Sequence, residues 1–317
     1  MRIKLFLNII SLFVIFSCTK SSIELPEVQE FYRIKNSIKG EMTSFLFFTD
    51  PHLNENNSTF EQYLLAIKDR FNRVPLEFCI CGGDWLDNND TNKQAYDKLS
   101  YINDYTNRLF GDQYYYILGN HDTNYQGRLT EDSEKFTGLL DHNTIVDLMF
   151  SKQGNSYYTI DSKCAKIFVL DTGIDWDNIM DDFRWEQIYW FAKELQGNDN
   201  QNVIVAMHIY TNDLETPTIF SGSIMRVIEA YNNKTEISLN GYQYDFKDSI
   251  GNVACVLCGH CHKDFVIEAN SIPIIGVTHL KDGNIPSFDF CVFDWKQNIL
   301  NLIRVGTGVN RCVKLLE

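Results

Sequence analysis

Short apolar runs recur along the chain, and most of them are too short for a helix and suit buried strands. Before residue 262, these runs alternate with segments whose apolar residues recur every three or four positions, which is the spacing of one helix face. The predicted strands are 44–49, 78–81, 114–118, 157–160, 166–170, 203–207 and 253–257, and the predicted helices are 60–71, 94–110 and 183–195. Four further strand-like runs follow without any helical pattern, at 265–268, 272–277, 288–293 and 299–305.

The order of these elements predicts the fold class. Strands that alternate with helices are typical of a layered α/β fold, and the strand-only end of the chain predicts added antiparallel strands. The sequence contains no internal repeat and no interior linker rich in glycine, serine or proline. We therefore predict one domain from residue 41 to residue 317.

Residues 1–17 have the pattern of an export signal. Arg2 and Lys4 precede an apolar run that is shorter than the ~20 residues of a membrane span and that suits the core of a secretory signal. With an aliphatic residue three positions before it and a small residue directly before it, Cys18 resembles the acylation site of a bacterial lipoprotein. That resemblance implies a lipid on Cys18, a tether over residues 18–40, and a location on the periplasmic side or outer surface of the cell envelope. An ordinary signal peptide and an uncleaved membrane anchor are the alternatives.

The charge balance limits the range of partners. The chain has 28 lysine and arginine residues against 42 aspartate and glutamate residues, which gives a formal net charge of -14. A general nucleic-acid binder needs basic residues along the phosphates, so we expect no stable nucleic-acid binding. A small phosphorylated substrate is compatible with this charge, because bound metal ions can supply positive charge locally.

Five of the predicted strands end in polar residues that can bind metal ions. These residues are Asp50-Pro51-His52, Gly83-Asp84, Asn120-His121-Asp122, His208 and His260-Cys261-His262. In an open α/β sheet, ligands bind in the crevice beyond the carboxyl ends of the strands, so we expect these side chains to meet there. Carboxylate, amide and imidazole donors suit manganese, iron or zinc better than soft metal ions. The sequence therefore predicts a site for two metal ions.

The cysteines offer a competing metal site. Cys255, Cys258, Cys261 and His262 have the spacing of a zinc knuckle. Cys255, however, lies inside an apolar run where cysteine acts as a small hydrophobic residue, and no second Cys-x-x-Cys pair accompanies it. We therefore do not expect this site, and the pairing of the cysteines beyond Cys18 stays open.

The ordered series of motifs over residues 50–262 resembles the calcineurin-like metallophosphoesterase superfamily. The resemblance implies an α/β fold in four layers, α/β/β/α, with two mixed sheets, and two divalent metal ions (manganese, iron or zinc) as cofactors. It also implies the ligands, which are Asp50, His52, Asp84 and His262 for the first ion and Asp84, Asn120, His208 and His260 for the second. Asp84 would therefore bridge the two ions. His142 and His279 fall outside the motifs, and His279, which follows a predicted strand, is a weaker candidate for the cleft.

The same resemblance implies hydrolysis of a phosphoester bond by a hydroxide that bridges the two ions, with His121 facing the leaving group and Asp122 orienting His121. The expected substrate is a small phosphomonoester or phosphodiester. The sequence departs from two branches of the superfamily. No arginine soon follows Asp84 as in the protein phosphatases, and Asp87 stands where purple acid phosphatases have a tyrosine ligand. The alternative function is a catalytically silent envelope binding protein on the same fold.

Overall fold

A computed structural model describes residues 25–53, 57–87, 90–124, 140–172, 181–210, 219–281 and 285–316. The helices are α1 Pro26–Ser37, α2 Asn57–Phe71, α3 Asn92–Phe110, α4 His142–Met149, α5 Asp181–Gln196 and α6 Ile219–Asn232. The strands are β1 Met42–Phe48, β2 Cys79–Cys81, β3 Tyr114–Tyr116, β4 Tyr158–Asp161, β5 Lys166–Leu170, β6 Asn202–Met207, β7 Glu236–Leu239, β8 Tyr242–Asp245, β9 Asn252–Cys258, β10 Phe265–Ala269, β11 Ile272–Gly276, β12 Phe288–Asp294, β13 Ile299–Val305 and β14 Arg311–Lys314. The predicted export signal and Cys18 lie outside the described residues.

Two six-stranded mixed sheets form the centre of the molecule. The first sheet has the order β14-β13-β12-β1-β2-β3, in which β1, β2 and β3 are parallel. The second sheet has the order β10-β11-β9-β6-β5-β4, in which β5, β6, β9 and β11 are parallel. Strands β7 and β8 form a separate hairpin. The predicted fold class with two mixed sheets is confirmed.

The central strands of the second sheet are buried on both faces. Ile167 and Ile204 join the apolar core that includes the first sheet and α1–α3, whereas Phe168 and Val205 pack with α5 and α6. Successive side chains of a strand point to opposite faces, so each of these strands contributes side chains to two apolar cores. This double burial explains why these strands have near-continuous apolar sequences, and it produces the α/β/β/α layers.

Helix α1 corrects the extent of the predicted tether. It begins at Pro26, whose fixed φ suits the first helical position. Three apolar side chains on one face are buried, among them Phe31, whose ring lies 5.9 Å from the ring of Phe290 in β12. The prediction of a tether over residues 18–40 is therefore wrong for the residues of α1, because this apolar stripe packs on the first sheet.

The strands after residue 262 complete both sheets. β12 pairs with β1 at the middle of the first sheet, and β13 and β14 follow it in antiparallel order. The prediction of antiparallel strands holds for the pairing of β11 with β10. It is wrong for the pairing of β11 with β9, which is parallel and carries a further strand end to the same edge as β9. Helices α4 and α6 and strands β7, β8 and β14 were not predicted. Within the described ranges, no helix combines the length and apolar character that a membrane crossing requires.

Candidate metal centre

The five predicted strand ends meet at one rim of the two sheets. The residues after β1, β2 and β3 come from the first sheet, and those after β6 and β9 come from the second. Across the rim, Asn120 Oδ1 lies 3.1 Å from His208 Nε2 and 3.0 Å from His260 Nδ1. Because side chains from both sheets converge on the same few ångströms, the predicted convergence is observed.

The first ligand group consists of Asp50, His52, Asp84 and His262. Asp50 Oδ1 lies 3.1 Å from His262 Nε2 and 3.7 Å from His52 Nε2. The two imidazole Nε2 atoms are 3.0 Å apart, and His52 Nε2 is 3.9 Å from Asp84 Oδ2. Four donor atoms thus face one small volume, as the ligands of a single ion do.

The second ligand group consists of Asp84, Asn120, His208 and His260. Asp84 Oδ2 lies 3.1 Å from His208 Nε2, so the same carboxylate oxygen faces both groups. Asp50 Oδ1 and Asp84 Oδ2 are buried and have no hydrogen-bond partner in the part of the chain that the structure describes. An unpaired buried carboxylate oxygen is costly, and a cation between the two groups would satisfy both atoms. The oxygen and imidazole donors fit a divalent transition metal.

Backbone carbonyl groups fix the orientation of two ligand histidines. His208 Nδ1–H donates to the Gly82 carbonyl oxygen at 2.7 Å, and His52 Nδ1–H donates to the Leu86 carbonyl oxygen at 3.1 Å. A carbonyl oxygen can only accept, so each ring carries a proton on Nδ1, and Nε2 is the atom that faces the site. This is the usual outer arrangement of metal-binding histidines.

Both ligand carboxylates have one oxygen engaged and one oxygen left for the site. Asp50 Oδ2 accepts the Thr49 hydroxyl at 2.6 Å and the His260 N–H at 3.0 Å. Asp84 Oδ1 accepts the His121 N–H at 2.8 Å. The loops therefore aim the remaining oxygen of each carboxylate at the ligand groups.

Five of the seven ligand residues have left-handed backbone conformations. The φ angles are 54° for Asp50, 41° for His52, 60° for Asp84, 65° for His260 and 53° for His262. Such conformations cost about 1–3 kcal/mol each for residues other than glycine and persist only where the surroundings enforce them. Strain of this kind clusters at functional sites, which supports the assignment of the rim as the site.

Two glycines allow the loops of the rim to touch. A Cβ atom on Gly119 would lie 2.2 Å from the backbone nitrogen and Oδ1 of Asp84. A Cβ atom on Gly259 would lie 2.0 Å from Thr49 Oγ1 and 2.6 Å from Asp50 Oδ2. No side chain fits at these distances, so the Gly-Asn and Gly-His pairs of the motifs are a packing requirement.

Asp122 has a different role from the predicted one. Its Oδ2 accepts the N–H groups of Asp84 at 2.9 Å and Gly119 at 2.8 Å, and its Oδ1 accepts the Trp85 N–H at 2.7 Å. His121 Nδ1 is buried and has no hydrogen-bond partner in the described ranges. The prediction that Asp122 orients His121 is therefore wrong. The buried carboxylate instead ties the loop after β2 to the loop after β3.

His121 lies beside the first ligand group. Its ring is 4.8 Å from the ring of His52, and its Nε2 is 3.9 Å from Asp84 Oδ2. Burial lowers the pKa of His121, and the neighbouring His52 and His208 lower it further against the opposing effect of Asp84. These surroundings favour the neutral form of the His121 imidazole.

The ligand residues form a strongly coupled set of charges. Burial alone would lower the pKa of His208, but the carboxylates of Asp84 and Asp50 raise it to about 10. Burial opposes ionisation of Asp50, yet His208, His262 and His52 hold the pKa of that carboxyl well below its usual range. In the metal-free protein, protons thus occupy a position that a cation would take.

His279 joins the site although its sequence context matches no motif. The rings of His121, His52, His262 and His279 form a row with successive centroid distances of 4.8, 4.9 and 5.0 Å. The signal in the sequence is positional, since His279 follows β11, and β11 runs parallel to β9. The competing cysteine site does not form, because Cys255 is buried in β9 and Cys261 is exposed.

A family model described as calcineurin-like phosphoesterase matches residues 43–264. The chain therefore belongs to the calcineurin-like phosphoesterase family.

Among solved structures, the chain is similar to a dimetal phosphatase from Danio rerio, with a TM-score of 0.62 and 10% identity over 86% of this chain and 98% of that one. It is also similar to a purple acid phosphatase from yellow lupin, with a TM-score of 0.53 and 12% identity over 87% of this chain and 54% of that one. At these identities the likeness shows the fold. No curated protein sequence matches the chain.

Proposed function

We propose that this protein is a two-metal hydrolase that cleaves a small phosphomonoester or phosphodiester. The observation that carries the proposal is the position of Asp84 Oδ2. This buried oxygen has no hydrogen-bond partner in the described residues and lies 3.1 Å from His208 and 3.9 Å from His52, which belong to different ligand groups. A single carboxylate oxygen shared by two sets of nitrogen and oxygen donors is the arrangement that a pair of divalent ions needs.

Different residues of the chain would bind the metal ions and stabilise the leaving group. When bound, two divalent ions supply Lewis-acid stabilisation of phosphoryl oxygens and lower the pKa of water. The buried carboxylates of Asp50 and Asp84 would balance that positive charge. In its neutral form, the His121 imidazole N–H donates a hydrogen bond to the leaving-group oxygen. The charged imidazolium that Asp122 would have favoured is not expected, because Asp122 binds backbone N–H groups instead.

Hydrolysis with and without the shared carboxylate tests the proposal. The purified protein with added Mn²⁺ is assayed on p-nitrophenyl phosphate and on bis-p-nitrophenyl phosphate, and the preferred compound assigns the ester class. We expect Asp84→Asn to lower turnover by more than ~100-fold, since even outer partners of metal ligands are worth 10–100-fold. Asp294→Asn is the matched control. Asp294 is also a buried aspartate, but it pairs with Met42 at the far end of β1.

Turnover that survives Asp84→Asn would contradict the proposed mechanism. Binding of phosphate by a metal-loaded wild-type protein without turnover of either compound would instead support the silent binding protein.

We further propose that a lipid on Cys18 anchors the protein to the bacterial cell envelope, on the periplasmic side or outer surface. The proposal rests on the sequence pattern of residues 1–18. Mass spectrometry of the mature N-terminus should show an acylated cysteine. Cys18→Ala should release the protein from the membrane fraction, and a variant that stays in that fraction would favour an uncleaved anchor.

A further inference from the structure

A largely buried network of ion pairs adjoins the loop that carries His262. The network consists of Asp264, Asp289, Arg304 and Arg311. Arg304, whose side chain is 2% exposed, donates from Nε and Nη2 to Asp289 at 2.9 Å each and from Nη2 to Asp264 at 2.6 Å. Arg311 Nη2 donates to Asp289 at 2.7 Å and lies 3.2 Å from Asp264. Two arginines and two aspartates thus balance each other's charge.

Asp264 connects this network to the metal centre. It follows His262 by two residues and also accepts the Thr278 N–H at 3.1 Å. The Thr278 hydroxyl donates in turn to the carbonyl oxygen of His262 at 3.1 Å. His262 has a left-handed conformation, with φ of 53°, so contacts with other residues must hold its backbone in place. Asp264 and Thr278 supply such contacts from two directions.

The network joins the two sheets through the last strands of the chain. Asp289, Arg304 and Arg311 lie on β12, β13 and β14 of the first sheet, whereas Asp264 follows β9 of the second. The turn after β13 is shaped around the network, because a Cβ atom on Gly308 would lie 2.8 Å from Arg304 Nη1 and 3.1 Å from Asp264 Oδ2. The three partners of Asp264 all lie beyond residues 43–264, the part that the family model matches.

We propose that this network is a positioning device for His262, so that the C-terminal strands set the affinity of the first ligand group for its metal ion. The inference rests on the proposed metal centre. Asp264 and Thr278 are positioning residues in this account, since they act through His262. His260 begins the same loop but has its own attachment, because its N–H donates to Asp50 Oδ2 at 3.0 Å. The second ligand group should therefore depend on the network far less than the first.

Titration with Mn²⁺ alone tests the proposal on the purified protein. Asp264→Asn keeps the shape of the side chain and removes its charge, and Thr278→Val removes only the hydroxyl group that reaches His262. We expect one of two Mn²⁺ binding steps to weaken by about 10-fold or more in Asp264→Asn and by less in Thr278→Val, because outer partners of metal ligands are typically worth 10–100-fold. Glu27→Gln is the control, since Glu27 forms an ion pair with Arg70 between α1 and α2, and it should leave both steps unchanged.

Amide hydrogen exchange in the metal-free protein provides a second readout. Residues 259–264 should exchange faster in both variants and at the wild-type rate in Glu27→Gln. This measurement tests the positioning role even if the wild-type protein binds Mn²⁺ without hydrolysing any ester, or binds no Mn²⁺ at all. Wild-type Mn²⁺ affinity within twofold in both variants, or unchanged exchange of this loop, would overturn the inference. Equal weakening by Glu27→Gln would also overturn it, because the effect would then be general loss of stability.

Discussion

The two ligand groups differ in how the fold holds them. In the second group, His208 is fully buried and its Nδ1–H is fixed by the carbonyl oxygen of Gly82, inside the contact between the two sheets. In the first group, His262 is 43% exposed and its loop is held by Thr278 and Asp264. The core of the molecule therefore holds His208 in place, whereas contacts with later strands hold the loop of His262. We expect the ion in the first group to be the weaker and more exchangeable of the two.

Asp84 faces both ligand groups, so its substitution should affect the two groups alike. Asp84→Asn replaces the only oxygen that faces both groups in the described structure, so we expect both Mn²⁺ binding steps to weaken by more than ~100-fold. Calorimetric titration of the metal-free protein measures this directly. Loss of one step alone would show that Asp84 does not bridge, and it would separate the two groups completely.

Substituting one histidine in each group should show how strongly each histidine stabilises the metal-free fold. His208→Ala leaves the buried Gly82 carbonyl oxygen unpaired, which costs about 1–3 kcal/mol. The free energy of unfolding of the metal-free protein should fall by at least that amount, because the substitution also removes the positive partner of Asp84 and Asp50. His262→Ala removes a partly exposed side chain and should cost less than about 0.5 kcal/mol. Denaturant unfolding of the two metal-free variants provides the comparison, and equal losses would contradict the different support of the two groups.

Proton release on metal binding should mark the second ligand group, which contains His208. The carboxylates of Asp84 and Asp50 overcome burial and raise the pKa of His208 to about 10. A raised imidazole pKa stabilises the metal-free fold fully below the ordinary value of ~6.5. That contribution is lost as the pH rises toward 10. Because Mn²⁺ must displace this proton, the affinity of the second group should rise with pH.

The expected slope is up to about tenfold per pH unit for one displaced proton. Titrations between pH 6.5 and 8.5, in buffers with different heats of ionisation, measure both the slope and the number of protons released. An affinity that is independent of pH would mean that His208 is neutral in the metal-free protein.

The sequence was sufficient to predict that the seven candidate ligand residues meet at one rim, because strand ends and their motifs are local features. Asp50, Asp84, Asn120, His208 and His260 each follow an apolar run within three residues, and parallel strands bring such ends to one edge. The two mixed sheets could be predicted for the same reason. The strand-only pattern after residue 262 also indicated β10 to β13, although it indicated neither β14 nor the parallel pairing of β11 with β9.

What the sequence could not provide depends on contacts between distant segments. The predicted role of Asp122 is wrong, because His121 is its neighbour in sequence and not its partner in space. Its actual partners include Asp84 and Trp85 on another loop. The ion pairs of Asp264 with Arg304 and Arg311 join residues 40 and 47 positions apart, and no local spacing in the sequence indicates them. The sequence alone does not predict helix α1, because its apolar face is buried only through contact with β12, which is distant in sequence.

The smallest effect that we expect concerns His279, the last ring in the row that begins at His121. It belongs to neither ligand group, and its ring lies 5.0 Å from the ring of His262 on the more exposed side of the centre. If the row continues onto the substrate, His279→Ala removes one hydrogen-bond donor, and KM should rise by about 2- to 10-fold with little change in kcat. His279→Asn retains a donor and should recover part of the loss. A fall in Mn²⁺ affinity with unchanged KM would instead make His279 a support of His262, and the first ligand group would then depend on β11 as well as on the network behind it.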